Sequence, residues 1–148
     1  MKKHHYPSRD PIRNYFPLPN EIFQLGLTPG ELAVYSFLLQ CENRETYQCY
    51  PSYRTIGEAV GLSRNAVKNK VDSLVEKQLI YTEPTTIKLK DGRTRNGNLL
   101  YTIRPLDAAK QHYIEQQAKE NEKKKALQEW LEKLEKMQNG EPDPVEPL

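Results

Sequence analysis

The sequence predicts a mainly α fold with a small β-hairpin and a long C-terminal helix. Three observations predict it. Residues 52–80, SYRTIGEAVGLSRNAVKNKVDSLVEKQLI, hold two helical apolar patterns that meet at Gly61. A strongly marked helix start precedes them at Thr28-Pro29-Gly30-Glu31, and a period-two stretch with turn dipeptides follows them. From Leu106 to Gln138 the chain has no Gly or Pro and is rich in Ala, Glu, Gln, Lys and Leu, which favour helix.

The elements follow in chain order. Residues 1–19 contain four prolines and mixed charge, so an extended arm is expected. Residues 19–25 predict a short helical turn that docks Ile22, Phe23 and Leu25. Thr28 suits an N-cap, Pro29 the first helical position and Glu31 the third, which completes a capping box. Leu32, Tyr35, Leu38 and Leu39 then place one apolar face on a helix over 28–41. Residues 42–51 are polar and end in Tyr50-Pro51, a predicted loop. Ser52 caps a helix to Val60 with Ile56, Ala59 and Val60 turned inward. Gly61 supplies the left-handed residue that closes it, and Ser63 caps the next helix, whose apolar stripe is Val67, Val71, Leu74 and Val75.

After Leu79-Ile80, residues 86–90 (Thr-Ile-Lys-Leu-Lys) alternate between an apolar and a basic face. Asp91-Gly92 and Asn96-Gly97 are turn dipeptides, and Leu99 to Arg104 forms the return strand. The predicted hairpin tip runs from Lys90 to Asn98. The domain plan is therefore an arm at 1–19, a compact domain at 20–105, a helix at 106–138 and a disordered tail at 139–148.

The near-neutral total charge of +2 conceals a division. Residues 1–106 hold 15 Lys and Arg against 10 Asp and Glu, a net of +5, whereas residues 107–148 hold 7 against 10, a net of −3. A basic body suits a polyanionic partner. No apolar run is long enough to span a bilayer, and the first residues lack the apolar core of a signal peptide, so a cytoplasmic location and no membrane partner are expected.

Three helices followed by a basic hairpin is the order of a winged helix-turn-helix. The string Thr55-Ile56-Gly57-Glu58-Ala59-Val60-Gly61-Leu62-Ser63-Arg64-Asn65-Ala66-Val67 resembles the helix-turn-helix core of bacterial winged-helix DNA-binding proteins. Gly61 stands at the turn, Leu62 and Val67 are plugs, and Ser63-Arg64 opens the recognition helix. Tyr50-Pro51-Ser52 looks more like a subgroup found in many phage and mobile-element proteins. Phe16-Pro17-Leu18-Pro19 is similar to the N-terminal domain of plasmid replication initiators. The resemblance spans roughly residues 15–104. It departs at Ala66, where threonine is frequent, and at Gln78, where glycine usually ends the recognition helix. If Gln78 takes the left-handed conformation, the cost is on the order of 1 kcal/mol.

The residue types fit the roles. With Val67, Val71 and Leu74 buried, Arg64, Asn65, Lys68 and Asn69 occupy the opposite side near the helix N-terminus. Arginine reads guanine bidentately and asparagine reads adenine. Ser63 and the free N–H groups suit a phosphate oxygen. Tyr53 and Arg54 are placed for backbone phosphates, and Lys88, Lys90, Arg93 and Arg95 for the flanking minor groove or backbone. The expected function is sequence-preferring binding of double-stranded DNA, with transcriptional regulation as the output. Replication initiation or replication control of a plasmid, phage or mobile element is the alternative that the resemblance leaves open. A replication initiator would normally carry a further domain, and a helix with a disordered end is all that is expected after residue 104, which favours the regulator. A second alternative is a winged-helix adaptor that binds protein and not DNA.

Other chemistries find little support. Cys41 and Cys49 are too far apart for a usual structural zinc pair and too few for a disulfide framework, and Cys41 is expected in the core. His4 and His5 are assigned to the arm, and His112 is expected to face solvent. No catalytic constellation or effector pocket is marked, so neither enzyme activity, metal nor cofactor is expected. In the C-terminal helix Leu127, Trp130, Leu131, Leu134 and Met137 have heptad-like spacing, interrupted upstream by Gln116, Glu120 and Lys123–Lys125. They are expected to pair with a second copy or another helical protein, and a homodimer would let two recognition helices read half-sites about one DNA turn apart.

Overall fold

The computed structural model describes residues 14–140, so the histidine pair and most of the N-terminal arm and C-terminal tail lie outside the described residues. The fold is a winged helix-turn-helix with a long C-terminal helix. A 3-10 helix, Asn20–Gln24, leads into α1 (Pro29–Cys41). A two-residue strand β1 (Gln48–Cys49), α2 (Tyr53–Val60) and α3 (Arg64–Glu76) follow. Strands β2 (Ile80–Glu83), β3 (Thr86–Lys88), β4 (Thr94–Asn96) and β5 (Leu100–Ile103) precede α4 (Leu106–Gln138).

The capping signals act as the sequence indicated. The Thr28 side chain accepts from the Glu31 backbone N–H while the Glu31 carboxylate accepts from the Thr28 N–H, closing the capping box. Ser52 and Ser63 cap α2 and α3, and Gly61 adopts φ 74° between them. Val34, Tyr35 and Leu38 of α1, Ile56 of α2, and Val67, Val71 and Leu74 of α3 form one core with Leu79, Ile80 and Tyr101. Burial of each such aliphatic side chain stabilises the fold by roughly 1.5–3 kcal/mol.

Several expectations are corrected. Phe23 is 69% exposed, because the single turn of the 3-10 helix can point only Ile22 and then Leu25 into the core. Ala59 faces solvent, since the eight-residue α2 turns Ile56 and Gly57 inward instead. Cys41 is exposed at the end of α1, whereas Cys49 is buried and donates its thiol to the Leu38 carbonyl at 3.6 Å. The predicted loop at 42–51 contains β1, which pairs antiparallel with β5 through Gln48↔Thr102 and Cys49↔Tyr101. A left-handed Tyr47 (φ 59°) makes the preceding turn.

The wing also differs from the expected single hairpin. The return strand β5 pairs with β2, in the register Ile80↔Ile103 to Glu83↔Leu100, and forms the central strand of a β1-β5-β2 sheet. Strands β3 and β4 form a separate two-stranded tip. Pro84-Thr85 on one side and Gly97 to Leu99 on the other interrupt the ladder, and the break is bridged by the Gly97 N–H to Thr85 carbonyl bond (2.8 Å) and by the Thr85 hydroxyl, which donates to the Asn98 carbonyl. Asn96-Gly97 therefore marks this break, and the reversal is the three-residue loop Lys90-Asp91-Gly92, with Gly92 at φ 87°.

The base of α4 packs on the domain. Ala109 is buried, Lys110 pairs with Glu21 at 3.0 Å, and Tyr113 lies against Gly26. A side chain at Gly26 would put its Cβ 3.1 Å from the Tyr113 ring. His112 is half-buried and lines a cleft of about 220 Å³ with Leu25, Lys77, Leu79 and Tyr113, instead of facing solvent. Beyond Gln117 every described residue of α4 is exposed except Leu134, which is half-buried.

Candidate nucleic-acid interface

The surface is built from the helix-turn-helix corner outward. In the turn, the Gly57 carbonyl accepts from both the Gly61 and Leu62 N–H groups, at 2.8 and 3.0 Å. That approach requires glycine at position 57, where a Cβ would stand 2.3 Å from the Leu62 carbonyl oxygen. A glycine inside a short helix costs up to about 1 kcal/mol relative to alanine. This cost is the signal in the sequence that position 57 serves a close contact.

Val67, Val71 and Leu74 lock one side of α3 into the core, and this fixes which residues face out. Arg64, Asn65, Lys68 and Asn69 are all exposed and share one strip of the N-terminal half. The strip continues into Asp72, whose carboxylate holds Lys68 Nζ at 3.0 Å. The hydrogen bond and charge of Asp72 raise the Lys68 ammonium above its ordinary value. Among the described residues Arg64 makes no ion pair, so it is the freer of the two cations.

Residues at the start of α2 border this strip. Tyr53 is half-buried; burial first, and then the neighbouring Asp72 carboxylate, push its phenol up, with Lys68 opposing. Its phenol therefore belongs to the same cluster as the Lys68–Asp72 pair. Arg54 is exposed and engages Glu58 at 3.0 Å. The Ser63 hydroxyl accepts from the Ala66 N–H at 3.1 Å, which leaves its own proton free to donate.

The wing distributes its cations over both faces. Ile87 pairs with Arg95, and Lys88 with Thr94, so Arg95 shares the face of Ile87 while Lys88 lies on the other. The expected division into one apolar and one basic face does not hold, and Ile87 remains 42% exposed because no core lies beneath the tip. Lys90 sits in the turn. Arg93 is clamped by Asp91 at 2.6 Å, which holds the Asp91 carboxyl below its usual range. At the wing base, Asn98 Nδ2 donates to the Tyr50 carbonyl at 3.2 Å, tying the wing to the approach to α2.

Three of the basic residues singled out from the sequence thus carry an acidic neighbour: Arg54 with Glu58, Lys68 with Asp72, and Arg93 with Asp91. The first two pairs have the i,i+4 spacing that a helix brings together, so they were legible in the sequence. Such exposed pairs are worth little in themselves and exchange readily for a phosphate.

A buried carboxylate stands behind this surface. Glu31 accepts from Ser73 at 2.9 Å and from Lys77 at 2.9 to 3.0 Å, joining α1 to the C-terminal half of α3. Burial pushes its carboxyl up, but hydrogen bonds from Lys77, Thr28 and Ser73 outweigh that and hold it below the ordinary value. Among the described residues no cluster of His, Cys, Asp and Glu could hold a metal ion, and no helix is long and apolar enough to cross a membrane.

Comparison with known proteins gives one family match: a helix-turn-helix domain family covers residues 25–80, which contain α1, β1, α2 and α3 and stop before the wing. No curated protein matches the chain. Among solved structures, a possible transcriptional regulator from Methanosarcina mazei Go1 is similar at 20% identity, over 72% of this chain and 81% of that one, with a TM-score of 0.45. The adhesin competence repressor AdcR of Streptococcus pyogenes is similar at 18% identity, over 80% and 82%, with a TM-score of 0.38.

Proposed function

We propose that this protein binds double-stranded DNA with sequence preference and acts without catalysis, its output being regulation of transcription. One observation carries the reading. The side of α3 that the core leaves free presents Arg64, Asn65, Lys68 and Asn69 together, at the helix N-terminal end, on a rigid element. A helix so mounted fits the major groove, with Arg64 and Asn65 as base readers and Ser63, Tyr53 and Arg54 as phosphate contacts. Lys88, Lys90, Arg93 and Arg95 of the wing reach the flanking groove or backbone. The helix-turn-helix family match over 25–80 supports DNA binding.

Selection from a random duplex library, followed by affinity measurement across salt concentrations, tests the reading. A preferred motif and a steep salt slope are expected, with each neutralised phosphate contributing roughly 0.9 to the log–log slope. Absence of duplex binding at low salt would overturn it in favour of a protein-binding adaptor. Placing the selected motif upstream of a reporter then tests the regulatory output against a role at a replication origin.

A further inference from the structure

We infer that two copies of the chain associate through the distal part of α4, packed antiparallel. Leu127, Trp130, Leu131, Leu134 and Met137 fall at a, d, e, a and d of a heptad, and Trp130 and Met137 are 56% and 67% exposed. Continued toward the base of the helix, the same register places Leu106, Ala109, Lys110 and Tyr113 at a, d, e and a. These base positions are the ones that meet the domain: Ala109 enters the core, Tyr113 lies against Gly26 and Lys110 pairs with Glu21. One face of α4 is thus covered by its own domain at the base and bare at the end.

That continuity decides the direction of the partner. A parallel helix following this face would run into Gly26 and the rest of the domain packed at the base. It would also set Lys123, at d, against its own copy. An antiparallel helix centred near residue 132 ends beside Lys123–Lys125 and never reaches the base. Its layers pair a with d: Leu127 meets Met137 of the second copy, and Trp130 meets Leu134. Lys123–Lys125 then flank the carbonyl end of the partner helix, where cations are favourable. Five such side chains from each copy bury on the order of 1,000 Å² in total, at the lower edge of specific interfaces, so a weak dimer results.

The pairing sets the distance between the two DNA-reading heads. About 26 residues at 1.5 Å separate Leu106 from the centre, so the two helix bases stand roughly 78 Å apart. Heads so placed hold two separated DNA segments, and not half-sites one turn of about 34 Å apart. This consequence rests on the DNA-binding reading; the pairing itself does not.

Sedimentation of the full chain over about 1–200 μM, in the concentration range of a weak interface, tests the pairing. A monomer–dimer equilibrium is expected, weakened at least tenfold in the double variant Trp130→Glu, Leu134→Glu, with the helical signal and single-duplex affinity unchanged. A monomer throughout, or a dimer indifferent to the double variant, overturns the proposal. A spin label on Lys123→Cys, with Cys41→Ser, reads the direction. A separation of about 27 Å between the two labels supports antiparallel packing, and one under about 15 Å overturns it. Capture of a free duplex by an immobilised one tests the spacing. Single-duplex binding without capture overturns the bridging consequence, whereas no duplex binding at all, with the dimer intact, overturns the DNA reading alone.

Discussion

Gln78 takes a left-handed backbone, φ 66°, at the point where α3 ends. The Leu79 N–H bonds to the Leu74 carbonyl and the Gln78 N–H to the Val75 carbonyl, the two bonds of a Schellman cap, with Leu74 and Leu79 both buried. The Gln78 side chain accepts from Arg104, whose guanidinium lies 4.0 Å from the centre of the Tyr81 ring. Side-chain chemistry therefore offsets a backbone cost of about 1 kcal/mol. Gln78→Ala, which keeps the strain and loses the bond, should be about 1 kcal/mol less stable than Gln78→Gly in denaturant unfolding. Gly57→Ala belongs to the same scale. Its Cβ would collide with the Leu62 backbone, so a loss of about 1–3 kcal/mol is expected despite alanine's better helix propensity. At the interface, Asp72 competes with phosphate for Lys68, so Asp72→Asn should tighten duplex binding in a low-salt titration. Arg64→Ala should cost about 1–3 kcal/mol at a preferred site and relax base choice there.

At the scale of elements, the orientation of α3 depends on α1 as well as on the turn before it. Glu31 is 2% exposed and holds Ser73 and Lys77 of the α3 end while capping its own helix. Because its carboxyl is held below the ordinary value, its contribution is present above pH of about 4.5 and is lost as the pH falls through the lowered value. Glu31→Gln should cost about 1–3 kcal/mol at neutral pH, and the difference from wild type should shrink in urea titrations run toward pH 3. The wing tip behaves differently. Strands β3 and β4 are exposed throughout and rest on no core, so Arg93→Ala with Arg95→Ala should leave unfolding unchanged. The same double substitution should lower affinity for all duplexes alike and flatten the salt slope by about 1–2.

For the whole molecule, packing and exposure divide along α4. Ala109, Tyr113 and the Lys110–Glu21 pair anchor its base, whereas its distal residues contribute no core. Truncation after Lys119 should therefore leave the melting temperature within a few degrees of wild type. Truncation after Pro105 uncovers Leu25 and Leu79 and should lower it by several degrees, since roughly 1 kcal/mol moves a domain of this size by about 4–8 °C.

The sequence by itself determined what depends on neighbours along the chain. Capping at Thr28, Ser52 and Ser63, the left-handed Gly61 and the inward stripe of α3 are local events, set within a few residues of one another. The outward strip Arg64, Asn65, Lys68 and Asn69 followed from that stripe, because a helix has only one opposite side. Only the tertiary structure decided what depends on distant partners. Strand β5 chose β2 and β1 over the period-two segment because Tyr101 and Ile103 gain burial over the core, which the β3–β4 tip cannot offer. Glu31, legible as a cap, acquired a second role through Ser73 and Lys77, more than forty residues away. The apolar face of α4 was visible as a pattern, but only the packing of its base on the domain showed which part of that face remains free.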